Sequence, residues 1–148
     1  MKHIYMLNAF CANKGSAVSN QVIDDFIVAN NSLGINFKDY LANSMLEVIL
    51  SPHLQDEMDI VLQNQAETSM LFIEAKRDFP DLKTLNDAIQ QAERYIDLLQ
   101  SGILPKITTV YANIVGSGVM TSAVSTKYPN QIKLIEYKKN AANEVRFN

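Results

Sequence analysis

The sequence predicts a mixed α/β domain, and three observations carry that prediction. Leu85, Ala88, Ile89, Ala92, Ile96 and Leu99 recur at helical spacing between Pro80 and Pro105. Before them, residues 58–63 and 70–76 are apolar runs separated by the polar stretch Gln63-Asn64-Gln65-Ala66-Glu67-Thr68, a strand–turn–strand pattern. After them, residues 107–115 form a β-branched run suited to a buried strand. Helical and extended segments mixed along 148 residues predict one domain, residues 1–148, with one sizeable core.

Taken in order, Met1 to Leu7 is an apolar opening interrupted at Asn8, expected to pack on the core as a strand or short helix. Phe10 is too large for the small-residue cleavage pattern of a signal peptide ending at Ala12, so no export signal is expected. Ser19 can cap a helix reaching about Asn31, with Val22, Ile23, Phe26 and Ile27 on its apolar side and Gly34 as its stop. Residues 37–50 fit a helical stripe at first and an alternating pattern later, which predicts a helix breaking into a short strand near Met45. The long helix is expected over residues 84–100, opened by a capping box of Thr84 with Asp87 and closed by Gly102 and Pro105. Gly116-Ser117-Gly118 and Pro129-Asn130 punctuate two further strands ending near Lys138.

Composition excludes several classes. With 47% hydrophobic residues, a net charge of −3 and a mean hydropathy of −0.05, the chain is not of the disordered type. No apolar run approaches the roughly 18 residues that a membrane-spanning helix needs, so no membrane partner is expected. Cys11 stands alone and cannot form an internal disulfide, which suits a reducing compartment; the cytoplasm is the expected location. The charge is uneven. Residues 1–105 hold 7 Lys/Arg against 14 Asp/Glu, whereas residues 106–148 hold 6 against 2. That basic segment, with Lys76, Arg77 and Arg94, is the first place to expect a phosphate-contacting surface.

The chemistry is expected at the end of the second hairpin strand. In Met70-Leu71-Phe72-Ile73-Glu74-Ala75-Lys76, residues two apart share a face, so Glu74 and Lys76 point the same way, roughly 6.5 Å apart along the strand. A turn centred between Ala66 and Glu67 places Asp59 directly opposite Glu74, with Cβ atoms about 5 Å apart. Two carboxylates that close repel unless a proton or a cation lies between them. Mg²⁺ is commonly held by one or two carboxylates plus waters. Lys76 on the same face would then stabilise charge on a phosphate or help activate water. The constellation fits metal-assisted phosphodiester hydrolysis.

An aspartate ending one strand followed by Glu-x-Lys on the next resembles the signature of the PD-(D/E)xK nuclease superfamily. Here it reads Asp59, fourteen intervening residues, then Glu74-Ala75-Lys76. Met58 stands where the family name has proline. Gln91 and Tyr95 on the following helix form a Gln-x-x-x-Tyr motif similar to that of the N-terminal nuclease domain of type I restriction enzyme motor subunits. The resemblance covers residues 58 to about 113 well and the rest weakly. It implies a restriction-endonuclease-like core, a mixed four- to five-stranded sheet flanked by helices, and cleavage of DNA with Mg²⁺ or Mn²⁺. It implies Asp59 and Glu74 as metal ligands with the Ala75 carbonyl as a third, Lys76 as the catalytic lysine, and Gln91 and Tyr95 as site-supporting or substrate-contacting residues. The family often carries an acidic residue on its first helix, for which Asp24, Asp25 and Glu47 compete. DNA is the implied partner. A separate motor or specificity subunit, or a second copy of the chain, is a candidate to complete the assembly.

Blander readings stand beside this one. A lone Glu-x-Lys is common, and by itself describes a solvated strand end with an ion pair worth under about 1 kcal/mol. Gln91 and Tyr95 alone fit a partly buried helix face. His3 and His53 lack zinc spacing, Cys11 lacks a visible base, and Gly116-Ser117-Gly118 reads as a turn because no Gly-Lys-Ser/Thr follows. Tyr128 and Tyr137, near Lys127, Lys138 and Lys139, are most simply solvated strand ends. The rival from another class is a non-catalytic nucleic-acid-binding or assembly module that keeps the fold. RNA is an alternative substrate, because a metal site does not itself read the sugar.

Overall fold

One strand lies at the centre of the architecture, and its neighbours explain why it is apolar throughout. The computed structural model describes residues 20–42, 60–76, 78–118 and 125–148. Within them, β3 (Ser69–Ala75) is buried at every residue. It pairs antiparallel with β2 (Ile60–Asn64) and parallel with β4 (Thr109–Gly116). β1 (Tyr40–Ala42) lies beyond β2 and β5 (Ile132–Lys139) beyond β4, giving a mixed sheet of five strands in sequence order. A sixth short strand, β6 (Val145–Phe147), extends it antiparallel to β5. The sequence reading had no strand there; three residues are too few for a period to show.

Parallel strands must be covered on both faces, and one helix does this on each side. α1 (Asn20–Asn30) packs Val22, Phe26 and Ala29 against Leu71, Ile73, Ala75 and Val115. α2 (Leu82–Leu98) packs Leu85, Ile89, Tyr95 and Ile96 against Met70, Phe72, Val110 and Ile114. The alternation expected along 70–76 is therefore real: even-numbered residues of β3 face α2 and odd-numbered ones face α1. A reciprocal amide pair seats α1 on the sheet. Asn30 Nδ2 donates to Asn113 Oδ1 at 3.0 Å, Asn113 Nδ2 donates back to Asn30 Oδ1 at 2.8 Å, and both residues are fully buried. Paired this way, neither amide leaves the desolvation cost of an unmade hydrogen bond.

The hairpin register is the one the turn predicts. Ile60 pairs with Ile73, Val61 with Phe72, Leu62 with Leu71 and Gln63 with Met70. Asn64 sets it: its Oδ1 accepts from Thr68 N at 2.8 Å and Ser69 N at 3.0 Å. Asn64→Ala removes both bonds and is expected to cost about 1–2 kcal/mol, measurable as a lower urea midpoint with an unchanged slope.

Three expectations are corrected. The cap of α2 is Asp81, not Thr84 with Asp87; Asp81 Oδ1 accepts from Thr84 N and Thr84 Oγ1, both at 2.8 Å. Asp87 instead faces Lys83 one turn away. The helix expected from Phe37 is instead a single 3₁₀ turn at Phe37–Asp39 leading into β1 at Tyr40, opened by Phe37 buried against Phe26; the break expected near Met45 lies outside the described residues. Of the two strands expected after Gly118, the second is β5; residues 119–124 of the first lie outside the described residues, and its remainder at 125–128 is not in the sheet. The opening segment 1–12, Ser19, Glu47, His53 and Asp59 lie outside the described residues. Gly34 and Gly102 do end the two helical stretches, at φ 75° and 103°. No helix among the described residues is long and apolar enough to cross a membrane.

Candidate functional site

β3 delivers Glu74 to the carboxyl end of the parallel strands, paired in register with Ile114. Its position in the alternation puts it on the α2 face, two residues beyond Phe72. Glu74 is only 5% exposed. Lys76 follows just past the end of the strand, half-buried, with its backbone N–H donating to Val115 O at 2.8 Å. Ala75 points the other way, into the α1 core. A buried acid near the strand end is thus followed, just past that end, by a half-buried lysine.

The α2 face also receives the Gln-x-x-x-Tyr pair. Tyr95 is buried, with its ring centroid 5.2 Å from that of Phe72. β3 and β4 are parallel neighbours, so α2 between them runs back toward the start of the sheet. Glu74 lies roughly 6.6 Å past Phe72 along the strand. Gln91, one turn before Tyr95, lies about 6 Å along the helix in the same direction, and it is half-buried. The helix period therefore puts Gln91 one turn from Tyr95 on the side toward the Glu74 end of β3. Burial gives Tyr95 a supporting position and leaves Gln91 the more accessible of the two.

The described ladder stops at Ile60 opposite Ile73, one residue short of the expected Asp59–Glu74 pair. Among the described residues no group of three or more His, Cys, Asp or Glu is placed to hold a metal ion. Of the expected Asp59–Glu74 pair, Glu74 alone lies among the described residues. Two of the three candidates for the first-helix acid are now placed. Asp25 lies under Arg146 on the α1 side of the sheet, and Asp24 is exposed on that same helix. The sheet separates both from Glu74.

No family model, curated protein or solved structure matches the chain.

The basic segment behaves differently from its sequence reading. Arg146 forks onto Asp25, Lys127 Nζ lies 2.7 Å from Asp97 Oδ2, and Lys138 Nζ lies 3.6 Å from Glu136 Oε1. Tyr128 OH also donates to Asp97, and Glu93 Oε2 accepts from Thr126 Oγ1 and Lys127 N. Hydrogen bonds from Lys127 and Tyr128 lower the Asp97 pKa, and the bond to Asp97 raises that of Lys127. The loop at 126–128 is thus fastened to α2 by charges that sequence arithmetic counts as free. Segment charge could not show this, because two of the three acids, Asp25 and Asp97, belong to the acidic part of the chain.

A cavity of about 380 Å³ lies between Gln63, Glu67, Leu104, Pro105, Lys106 and Ile107. It is at the opposite end of β3 from Glu74, beside the hairpin turn, so it is no part of this site.

Proposed function

We propose that the chain is a metal-dependent phosphodiesterase domain of the nuclease type, acting on DNA. The observation that carries the reading is the hairpin register. Four described pairs hold the alignment that, if continued by one residue, would set Asp59 against Glu74. Further support comes from Lys76 two residues after Glu74, from Gln91 one turn from Tyr95 on the helix covering that face, and from a mixed sheet with a helix on each face, as the resemblance to PD-(D/E)xK nucleases implies. In this reading Glu74 and Asp59 would hold Mg²⁺ or Mn²⁺, with the Ala75 carbonyl as a third donor. A hard cation suits such an all-oxygen set. When bound, the ion supplies Lewis acidity and an activated water for attack on phosphorus. Lys76 offsets negative charge growing on the phosphate oxygens, and Gln91 holds the substrate backbone or the Glu74 carboxylate.

One observation favours the rival reading, a nucleic-acid-binding or assembly module without catalysis. Three of the basic side chains in residues 106–148 are already engaged by acids, which thins the surface available to phosphates. Incubating the protein with plasmid, single-stranded DNA and RNA separates the two. The nuclease reading expects cleavage with Mg²⁺ or Mn²⁺ that EDTA abolishes, and the RNA arm fixes the sugar preference. Nucleic-acid binding without cleavage under either metal, unchanged in Asp59→Ala and Glu74→Ala, establishes the rival. Activity that appears only with a second protein present points to a motor or specificity subunit.

A further inference from the structure

We propose that Gly116-Ser117-Gly118 is a positioning element that fixes the Lys76 end of β3, an inference that rests on the nuclease reading above. The sequence treats these residues as a turn. In the structure they run alongside the chain leaving β3. Lys76 N–H donates to Val115 O and Phe79 N–H to Ser117 O, each at 2.8 Å, and Phe79 pairs with Gly118 as an isolated parallel bridge. Lys76 and Phe79 are therefore each tied to the chain at the end of β4, at the residue that carries the lysine side chain and three residues beyond it.

The two glycines make this approach possible. A Cβ on Gly116 would lie 2.7 Å from Lys76 O and 2.6 Å from Phe79 Cδ2, and would overlap Phe79 Cε2 as well. The Phe79 ring, itself fully buried, occupies the space above Gly116 that a side chain would fill. Gly118 sits at φ 93°, and a Cβ there would meet Asp78 Oδ1 at 2.8 Å and the Phe79 carbonyl oxygen. Lysine has a long flexible stem, so its ammonium is only as well placed as the backbone that carries it. Misplacement by about 1 Å can cost as much as 10²-fold in rate.

Single-turnover cleavage and DNA affinity are measured for wild type, Lys76→Ala, Gly116→Ala, Gly118→Ala, and each glycine variant combined with Lys76→Ala. Each glycine variant is expected to slow cleavage on the order of 10-fold, to leave DNA affinity within about twofold, and to add nothing once Lys76 is gone. Amide exchange at Phe79 should quicken in Gly118→Ala. Gly118, at the exposed edge, decides the outcome if Gly116→Ala does not fold. Phe79→Leu, which thins the packing over Gly116, decides it if neither folds. Wild-type cleavage rates in a folded glycine variant, or a loss that multiplies with that of Lys76→Ala, overturns the positioning role. A wild type that shows no metal-dependent cleavage overturns the nuclease reading itself, and a Lys76→Ala variant as fast as wild type overturns the role of the lysine.

Discussion

Arg146→Met is expected to destabilise the protein by about 3–5 kcal/mol, read as a fall in urea unfolding free energy at neutral pH. Arg146 donates through Nε to Asp25 Oδ2 at 2.9 Å and through Nη2 to Asp25 Oδ1 at 2.8 Å, and Phe147 N–H adds a third bond at 3.0 Å. Gln21 Nε2 supplies a fourth donor at 2.9 Å. Asp25 is 6% exposed, so removing the guanidinium leaves a charge under cover with only neutral donors. The reverse replacement is gentler, because the Arg146 side chain is 45% exposed and can return to water. The double variant Asp25→Leu with Arg146→Met is expected to cost less than Arg146→Met alone, since no stranded charge remains. Equal and additive losses would show that the pair is not coupled.

The same pair sets an acid limit to stability. Burial pushes the Asp25 pKa up, but the hydrogen bonds from Arg146, Phe147 N–H and Gln21, with the charge of Arg146, outweigh it and leave the pKa below the ordinary aspartate value. A depressed folded pKa means that the folded state binds fewer protons than the unfolded one in the interval between the two values. The stabilisation is therefore complete above the ordinary aspartate range and is lost as pH falls through the folded pKa. Arg146→Met should lose little further stability over that interval, and its unfolding curve should flatten there relative to wild type.

What the sequence disclosed follows from which interactions are local. The register of β2 on β3 could be deduced because the turn and the side-chain period are both properties of a dozen consecutive residues. The opposition of Ile60 and Ile73 then follows. The faces of β3 and α2 were equally legible, since periods of 2 and 3.6 are written in the apolar residues themselves. The cap of α2 was misplaced by one turn. Thr84 and Asp81 are both capping types, and only the extended backbone of Asp81 decides between them. Long-range partnerships were not legible at all. Asp25 meets Arg146 across 121 residues, and Asp97 meets Lys127 across 30. Composition counted those four charges as solvent-facing, whereas the fold uses them to fasten β6 to α1 and a loop to α2. The packing of Phe79 over Gly116 was hidden for the same reason. A Gly-Ser-Gly sequence reads as a turn until a ring from another segment is found in the space its side chain would occupy.

On the nuclease reading proposed above, Glu74→Gln is expected to slow metal-dependent cleavage on the order of 10²-fold or more, about 2.7 kcal/mol of transition-state stabilisation, while the protein stays folded. The physical question is why a glutamate should end an otherwise apolar strand. Burial alone does not tell a structural role from a chemical one, because Glu74 has an interaction partner in the fold, while leucine at the same place would meet the core formed by Met70, Phe72 and Ile114. If Glu74 serves only the fold, Glu74→Leu should lower the thermal midpoint and Glu74→Gln should cleave as well as wild type. If it serves chemistry, both variants should lose cleavage and Mn²⁺ affinity together, whatever the change in thermal midpoint. Lys76→Ala provides the contrast, because a half-buried lysine at the rim contributes little to stability. It should cut the cleavage rate without weakening Mn²⁺ binding. A folded Glu74→Gln that cleaves within about twofold of wild type removes Glu74 from the site, whatever its burial. Loss of metal affinity in Glu74→Gln but not in Lys76→Ala would separate the ligand from the residue that meets the phosphate.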